Sequence, residues 1–305
     1  MTGSLQARAG TCPISGRLGV WTPDRERRPR TWSATRFLSD DPAACPFCDP
    51  APDDPRLLAP SAQRGREDWF ALRNLYPPLA GVTGVATLAV SASHAPTLAH
   101  PGPHLEDAWA AQLDVQMQLA HAERRSWRLL TTAVGVSAGA SQHHPHGQVL
   151  VPTTVPPIIV SAQQRWQRSE NVAEVLTDAA TVASRDGVRL VAPPVPLGPL
   201  DLWLVPEGPR PLDALEPDLA ARLLVHWIRG VLAVLPEAAV PGVPPSAPPF
   251  DLKVLLHAEL PDGTGRWWAE LQVTSQQAPS VAAAPIVDVV LPRERHAERL
   301  RAGGS

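Results

Sequence analysis

The sequence predicts an α+β fold made of two copies of a β-β-α-β-β unit, with a largely antiparallel sheet. Two observations lead there. Period-two apolar runs and helix-period stripes recur in the same order twice along the chain. A histidine-rich stretch closes the first copy and has no chemical equivalent at the end of the second.

In the first copy, residues 69–74 and 85–91 read as strands, followed by a long helix near residues 103–126. Leu105, Trp109, Leu113, Met117 and Ala120 give that helix an apolar stripe at three- and four-residue spacing. Residues 127–136 and 148–151 supply two further strands. A helix near residues 161–184 joins the copies. The second copy reads as strands over 188–192 and 200–205, a helix near 212–235, then strands over 252–257 and 267–273. Its helical stripe is Leu215, Leu219, Leu223, Ile228 and Leu232. Residues 1–42 read as irregular, with Trp21 and Trp32 as anchors. Residues 241–249 read as a proline-rich loop, and the tail after Pro279 as a strand and a short helix.

Composition narrows the function. At 305 residues and 44% hydrophobic content the chain can build one large domain or two ordinary ones. A net charge of −3 speaks against a general binder of nucleic acid or membrane surface. Lys253 is the only lysine, so arginine supplies nearly every fixed positive charge, and a lysine-dependent phosphate loop is excluded. No positive-then-apolar leader opens the sequence and no apolar run approaches membrane length, which makes cytoplasm the default. Three cysteines do not make a secreted disulfide framework.

The stretch from Gly139 to Val151 contains His143, His144 and His146, with Pro145 and Gly147 between and after them. In an extended segment His144, His146 and Gln148 share one face. Two imidazoles and an amide beside a glycine suit an anionic ligand or a metal; the bland reading is a histidine-rich surface turn. Cys45-Pro46-Phe47-Cys48 has the spacing of half a zinc site and also of a redox pair. No strand–helix–strand context surrounds it, which favours zinc. Cys12 reads as a buried or idle thiol. The run Arg25 to Arg30 reads either as a solvated loop or as a phosphate-binding one, for which arginine's fork is suited.

One motif competes. Gly135-Val136-Ser137-Ala138-Gly139 matches a nucleophile elbow, with Asp201 and then His226 or His257 downstream in the order a serine hydrolase requires. Such a serine must sit between a strand and a helix, whereas Gly139 leads into the histidine stretch and another strand.

Taken in order, these residues resemble the galactose-1-phosphate uridylyltransferase family, within the histidine-triad superfamily. The likeness runs through Pro13 to Gly16, Trp21 to Pro29, the Cys45–Cys48 pair and Asn74 to Leu79. It continues through Val90 to Leu98 and the most specific signature, His144-Pro145-His146-Gly147-Gln148 preceded by Gly139-Ala140-Ser141. Leu200 to Pro206 and Leu255 to His257 extend it into the second copy. The resemblance implies two histidine-triad-like halves: residues 1–160 with a zinc site and the nucleophile, and residues 161–305 as a degenerate half completing the pocket. It implies zinc held by Cys45, Cys48, His94 and His144, with His146 as nucleophile and Gln148 as donor to phosphoryl oxygens. Arg25, Arg28, Asn74, Gly139, Ala140 and Ser141 would bind nucleotide or phosphates.

The implied activity exchanges a uridylyl group between UDP-glucose and galactose 1-phosphate, through a covalent nucleotidyl-histidine. The implied partners are a nucleotide sugar and a sugar 1-phosphate, and the implied assembly is a homodimer. Two alternatives stand beside it: a nucleoside-diphosphosugar or dinucleoside-polyphosphate phosphorylase, and a non-catalytic nucleotide-binding member. The chain departs from the family pattern near Ala133, where many members carry an asparagine. Arg266 and Trp268 stand where some members carry a histidine pair for a second metal, so that second site is expected to be absent.

Overall fold

A computed structural model of the chain describes residues 8–11, 18–21, 41–48, 50, 55–58, 69–74, 77–79, 81–94, 98–100, 102–123, 126–194, 200–234, 250–274, 297–298 and 300–301. Arg25, Arg28, Cys12, Trp32 and the proline-rich stretch 241–249 lie outside them.

The N-terminal region holds a feature the apolar pattern did not announce. Strands β1 (Arg8–Thr11) and β2 (Leu18–Trp21) pair as an antiparallel ribbon inside the stretch read as irregular. Four residues carry too few alternations to show a period of two. The main body is a nine-stranded sheet in which every neighbouring pair is antiparallel. Strands β3 (Trp69–Arg73) and β4 (Gly84–Ser91) precede helix α1 (Leu105–Ala122), and β5 (Leu129–Val134) and β6 (His146–Pro152) follow it. Helices α2 (Pro157–Trp166) and α3 (Ser169–Val175) lead into β7 (Thr181–Arg185), β8 (Val188–Val191) and β9 (Leu202–Pro206). Helix α4 (Pro217–Val234) and strands β10 (Asp251–His257) and β11 (Trp268–Thr274) complete the body.

The sheet order β3-β4-β6-β5-β10-β11-β9-β8-β7 displays the duplication. With β7 set aside, the order in one half is the mirror of the other, and the halves meet where β5 pairs β10. The connection is where the pattern misleads. The helix expected near residues 161–184 is two short helices and a strand. Thr181 to Arg185 turns back through Asp186 and Gly187, whose φ values are 51° and 73°, into β8. An Asp-Gly pair with both residues left-handed makes a tight hairpin whose twist matches its strands. That local signal outweighs the weak helical period before it. In the second long helix the expected start at Leu212 is a separate single turn, Leu212–Ala214, and α4 proper begins at Pro217.

One face of the sheet is dry. Leu130, Thr132, Val149, Val151, Val254, Leu256, Ala269, Leu271 and Leu204 turn to it, and α1 and α4 pack side by side upon it. Fully burying one such aliphatic side chain stabilises by about 1.5–3 kcal/mol, so this layer supplies most of the driving force. Gly147 is needed here: any Cβ at that position would run into the side-chain amides of Gln112 and Gln116 on α1. Gln116 Nε2 donates to the carbonyls of Thr131 (3.2 Å) and Gln148 (3.1 Å), and Gln112 Nε2 to the hydroxyl of Thr132. The close approach that a glycine permits serves a helix here rather than a ligand.

The opposite face carries the alternate residues of the same strands and is only partly covered. On the helix-covered side, at the end of the sheet far from the histidine stretch, the buried guanidinium of Arg128 lies beside the last turn of α1 and bridges the halves. It donates to Glu259 (2.6 Å) and Asp213 (3.3 Å), while Glu259 also accepts from Leu212 N–H at 2.7 Å. Among the described residues no helix is long and apolar enough to cross a membrane.

Candidate functional site

The partly covered face can be read row by row from the strand register. Gln148 pairs with Thr131, Thr131 with Leu255 and Leu255 with Glu270, which makes one straight row across four strands. One step towards the β5–β6 loop, Ala133 pairs with Lys253 and Lys253 with Gln272, and continuing the β5–β6 register one residue past Thr132–Gly147 brings His146 to the β6 end of that row. On the outer side Val90 faces His146, and Leu88 faces Gln148. Side-chain alternation puts His146 and Gln148 on this face together.

His146 is 8% exposed. Its Nδ1 lies 2.8 Å from the carbonyl oxygen of His144. A carbonyl only accepts, so Nδ1 carries the proton and Nε2 keeps the lone pair. The ring is also held by contact: Phe47 lies 5.1 Å from it, centroid to centroid, and packs with Leu57, Leu72, Leu88 and Val90. Sequence reading did not single out Phe47. It stands between the two cysteines, and its role depends on where the Cys45–Cys48 loop folds down.

That loop folds onto the histidine stretch. His144 Nδ1 lies 3.5 Å from Cys45 Sγ, 3.6 Å from Cys48 Sγ and 3.3 Å from His94 Nδ1, and Cys48 Sγ lies 3.1 Å from His94 Nδ1. All four ligand atoms fall within 4.8 Å of one another. A tetrahedral ion with bonds of about 2.0–2.3 Å sets its ligand atoms roughly 3.3–3.8 Å apart, so the cage has the right size. Its electronics agree. His144 Nε2 donates to the Ser91 carbonyl at 2.7 Å, which turns the Nδ1 lone pair inward. Burial, reinforced by the neighbouring histidines, pushes the His144 imidazole down to about 4, so it stays unprotonated at neutral pH. The Phe47 N–H donates to Cys45 Sγ at 3.4 Å and orients that sulfur. The four residues form a cluster able to hold a metal ion.

Gly139, Ala140 and Ser141 lie in the loop between β5 and β6, beyond the row of His146. Ser137 N–H, in the same loop, donates to the Asp251 carboxylate at 2.6 Å. Gly135, at φ 87°, sits where any Cβ would collide with that carboxylate. Burial pushes the Asp251 carboxyl up, and its bond to Ser137 offsets part of the shift. Asp251 is thus the pin of this loop. Because it lies 114 positions from Ser137, nothing local in the sequence marks it. Asn74 directly follows edge strand β3, on the same face but further along the sheet from His146.

The elbow reading finds no triad. Asp201 accepts the Val273 N–H at 3.0 Å, and His257 stands six residues along β10 from the Asp251 that binds Ser137, roughly 20 Å away. His226 sits on α4, which packs against the other face.

The second half keeps the scaffold of the first with other chemistry. Register equates Glu270 with Gln148, Trp268 with His146 and Arg266 with His144. Arg266 Nη1 donates to the Pro206 carbonyl at 3.0 Å, the counterpart of the His144 bond to Ser91. An arginine brings its own cation to the place that a metal ligand fills in the first half. His257 stacks on Trp268 at 4.4 Å and donates from Nε2 to the Glu270 carboxylate at 3.1 Å. Burial opposes ionisation of Glu270 most strongly, yet bonds from His257 and Gln272 carry its carboxyl below the usual range.

No protein-family model and no curated protein sequence matches this chain. Solved structures do match over nearly its whole length. One described as a uridylyltransferase superposes with a TM-score of 0.67 at 18% identity, covering 97% of each chain. An ADP-glucose phosphorylase from Arabidopsis thaliana with bound ADP-glucose gives 0.64 at 16% identity, over 97% of this chain and 98% of that one. A galt-like protein from the same plant gives 0.59 at 17% identity, over 97% and 99%. The chain has the fold of these proteins.

Proposed function

We propose that this chain is a nucleotidyltransferase of the galactose-1-phosphate uridylyltransferase type, exchanging a uridylyl group between UDP-glucose and galactose 1-phosphate through His146. The observation that carries the reading is the tautomer of His146: an Nε2 lone pair on a sheet face, with Nδ1–H anchored on the His144 carbonyl. The shared fold of a uridylyltransferase supports it.

In the first step Nε2 attacks the α-phosphorus of UDP-glucose. The bond from that phosphorus to the bridging oxygen breaks, and glucose 1-phosphate leaves. In the second step a phosphate oxygen of galactose 1-phosphate attacks the same phosphorus. The N–P bond breaks, the electron pair returns to Nε2, and UDP-galactose forms. Positive charge builds on the ring while phosphorus is attached, and the His144 carbonyl on Nδ1–H stabilises that charge in both steps. Gln148, on the same face, donates its amide to the phosphoryl oxygens. Gly139, Ala140, Ser141 and Asn74, with Arg25 and Arg28, bind the nucleotide and its phosphates.

Cys45, Cys48, His94 and His144 would hold a zinc ion, for which two sulfurs and two imidazoles are a suitable set. Bound there, zinc supplies a structural cross-link and no open coordination position. The chain's own contribution follows: His144 is fixed by its ring, its carbonyl holds His146, and Phe47 backs the nucleophile. Freshly purified protein should contain near one zinc per chain. Measured by elemental analysis, a zinc-free and fully active protein would refute this part.

A second reading, the phosphorylase, draws on the ADP-glucose phosphorylase, whose fold matches this chain almost as closely. In that case inorganic phosphate replaces the sugar phosphate as acceptor. Intact-protein mass spectrometry after exposure to UDP-, ADP- and GDP-sugars decides both questions. A nucleotide-monophosphate adduct is expected, and its mass reports the base. Discharge of that adduct by galactose 1-phosphate supports transfer, whereas discharge by inorganic phosphate alone supports phosphorolysis. Tight nucleotide binding with no adduct and no product would leave a non-catalytic binder.

A further inference from the structure

The chain's single lysine stands in the row of the proposed nucleophile. Lys253 lies on β10, the central strand that the second half contributes, and pairs with Ala133, the residue next to the Thr132–Gly147 pair, so that the continued register sets His146 on its β6 side. Adjacent strands are about 4.8 Å apart, which puts the Lys253 backbone roughly 10 Å from that of His146. The strand between them presents only the methyl group of Ala133, so no bulky side chain separates the lysine stem from the imidazole. Alternation puts Lys253 on the partly covered face, and it is only half-buried there. Among the described residues it has no hydrogen-bond or ion-pair partner. The carboxylate in the neighbouring row, Glu270, is engaged by His257 (3.1 Å) and Gln272 (3.1 Å).

A solitary ammonium beside a phosphorus-attacking nitrogen calls for an anion as its partner. We infer that Lys253 anchors the phosphate group that leaves in the first step and enters in the second, a phosphate dianion borne by a sugar 1-phosphate or free as inorganic phosphate. The inference rests on the proposed nucleotidyl-histidine chemistry and adds to it an acceptor-binding residue from the second half. The lysine takes no part in bond making. It places the attacking phosphate oxygen by charge, in line across the phosphorus from Nε2. Gln272, its partner in the row and bonded to Glu270, borders the same place.

The test compares the wild-type enzyme with Lys253→Met and Lys253→Arg. Each protein is first exposed to nucleotide sugar, and the extent of nucleotidyl adduct is read by intact mass. The KM is then measured for galactose 1-phosphate and for inorganic phosphate in turn. The expected result is that all three proteins reach full adduct at the endpoint, Lys253→Met more slowly because the same lysine holds the leaving phosphate. The KM for the productive acceptor rises on the order of 10- to 100-fold in Lys253→Met, the weight of one charge-assisted hydrogen bond, and most of that loss is recovered in Lys253→Arg. Whichever acceptor shows the effect identifies the source of the phosphate. An unchanged KM with full adduct overturns the lysine's role and leaves the nucleotidyl-histidine standing. Absence of adduct from the wild type overturns both. Should Lys253→Met fold poorly, as judged by its thermal midpoint, Lys253→Gln answers the same question with a polar side chain of lower bulk.

Discussion

His146→Ala should leave the protein folded and its metal content unchanged, while no covalent nucleotide forms and turnover drops by roughly four orders of magnitude or more. The size follows from what is removed. Without a nucleophile the exchange requires a direct displacement between two phosphate esters, and the division into two easier steps is lost. The supporting groups stay in place, because Phe47 packs with Leu72, Leu88 and Val90 independently of the imidazole, and His144 keeps its bond to Ser91. A residual rate from substrate orientation alone is expected. Intact mass and a steady-state assay of the same preparation check this. A full-size adduct on the alanine variant would assign the chemistry to another residue, and the mechanism above would fail.

Arg128→Met should cost about 3–5 kcal/mol of folding stability with no direct effect on chemistry. Arg128 is 1% exposed, and its two carboxylate partners come from the second half: Glu259 after β10 and Asp213 ahead of α4. Removing the guanidinium strands Glu259, which is 8% exposed and whose other oxygen still accepts the Leu212 N–H. The damage comes from that uncompensated buried charge rather than from the lost attraction itself. Replacing both partners should therefore recover much of the loss: Arg128→Met with Glu259→Leu is expected to be clearly more stable than Arg128→Met alone. Urea unfolding reads the result as a shifted midpoint with unchanged slope. If the single variant unfolds at the wild-type midpoint, the bridge between the halves contributes nothing. Because the bridge sits at the opposite end of the sheet from His146, the nucleotidyl adduct should still form in the folded fraction.

The sequence was most legible where a signal is local. A period of two over Gly84–Ser91 and Asp251–His257, and a helical stripe over Leu105–Ala122, depend only on near neighbours, so the order of elements could be read directly. The helix expected near 161–184 does not form as one piece, because the Asp186-Gly187 hairpin, itself a local signal, overrides the faint helical stripe before it. The candidate site split along similar lines. Order and resemblance imply Cys45, Cys48, His94 and His144 as a ligand set, and the structure brings their ligand atoms together. Phe47 was visible as a residue without a visible role, since its contact with His146 exists only once the cysteine loop has folded down.

By itself, then, the chain of residues determined the α+β class, the twofold repetition and a strand that opens within the His144-Pro145-His146-Gly147-Gln148 segment. Alternation and helical periodicity are written between adjacent positions and survive any arrangement in space. Only the tertiary structure decided the rest. It set Lys253 two strands from His146, made Asp251 the pin of the loop at Ser137, joined Arg128 to Glu259, and chose which nitrogen of His146 holds the proton. Each of these depends on strand register and on where a loop carbonyl comes to rest, relations between residues as far as 131 positions apart. Register is settled by how the whole sheet packs its dry face under α1 and α4, and no stretch of neighbouring residues contains that information.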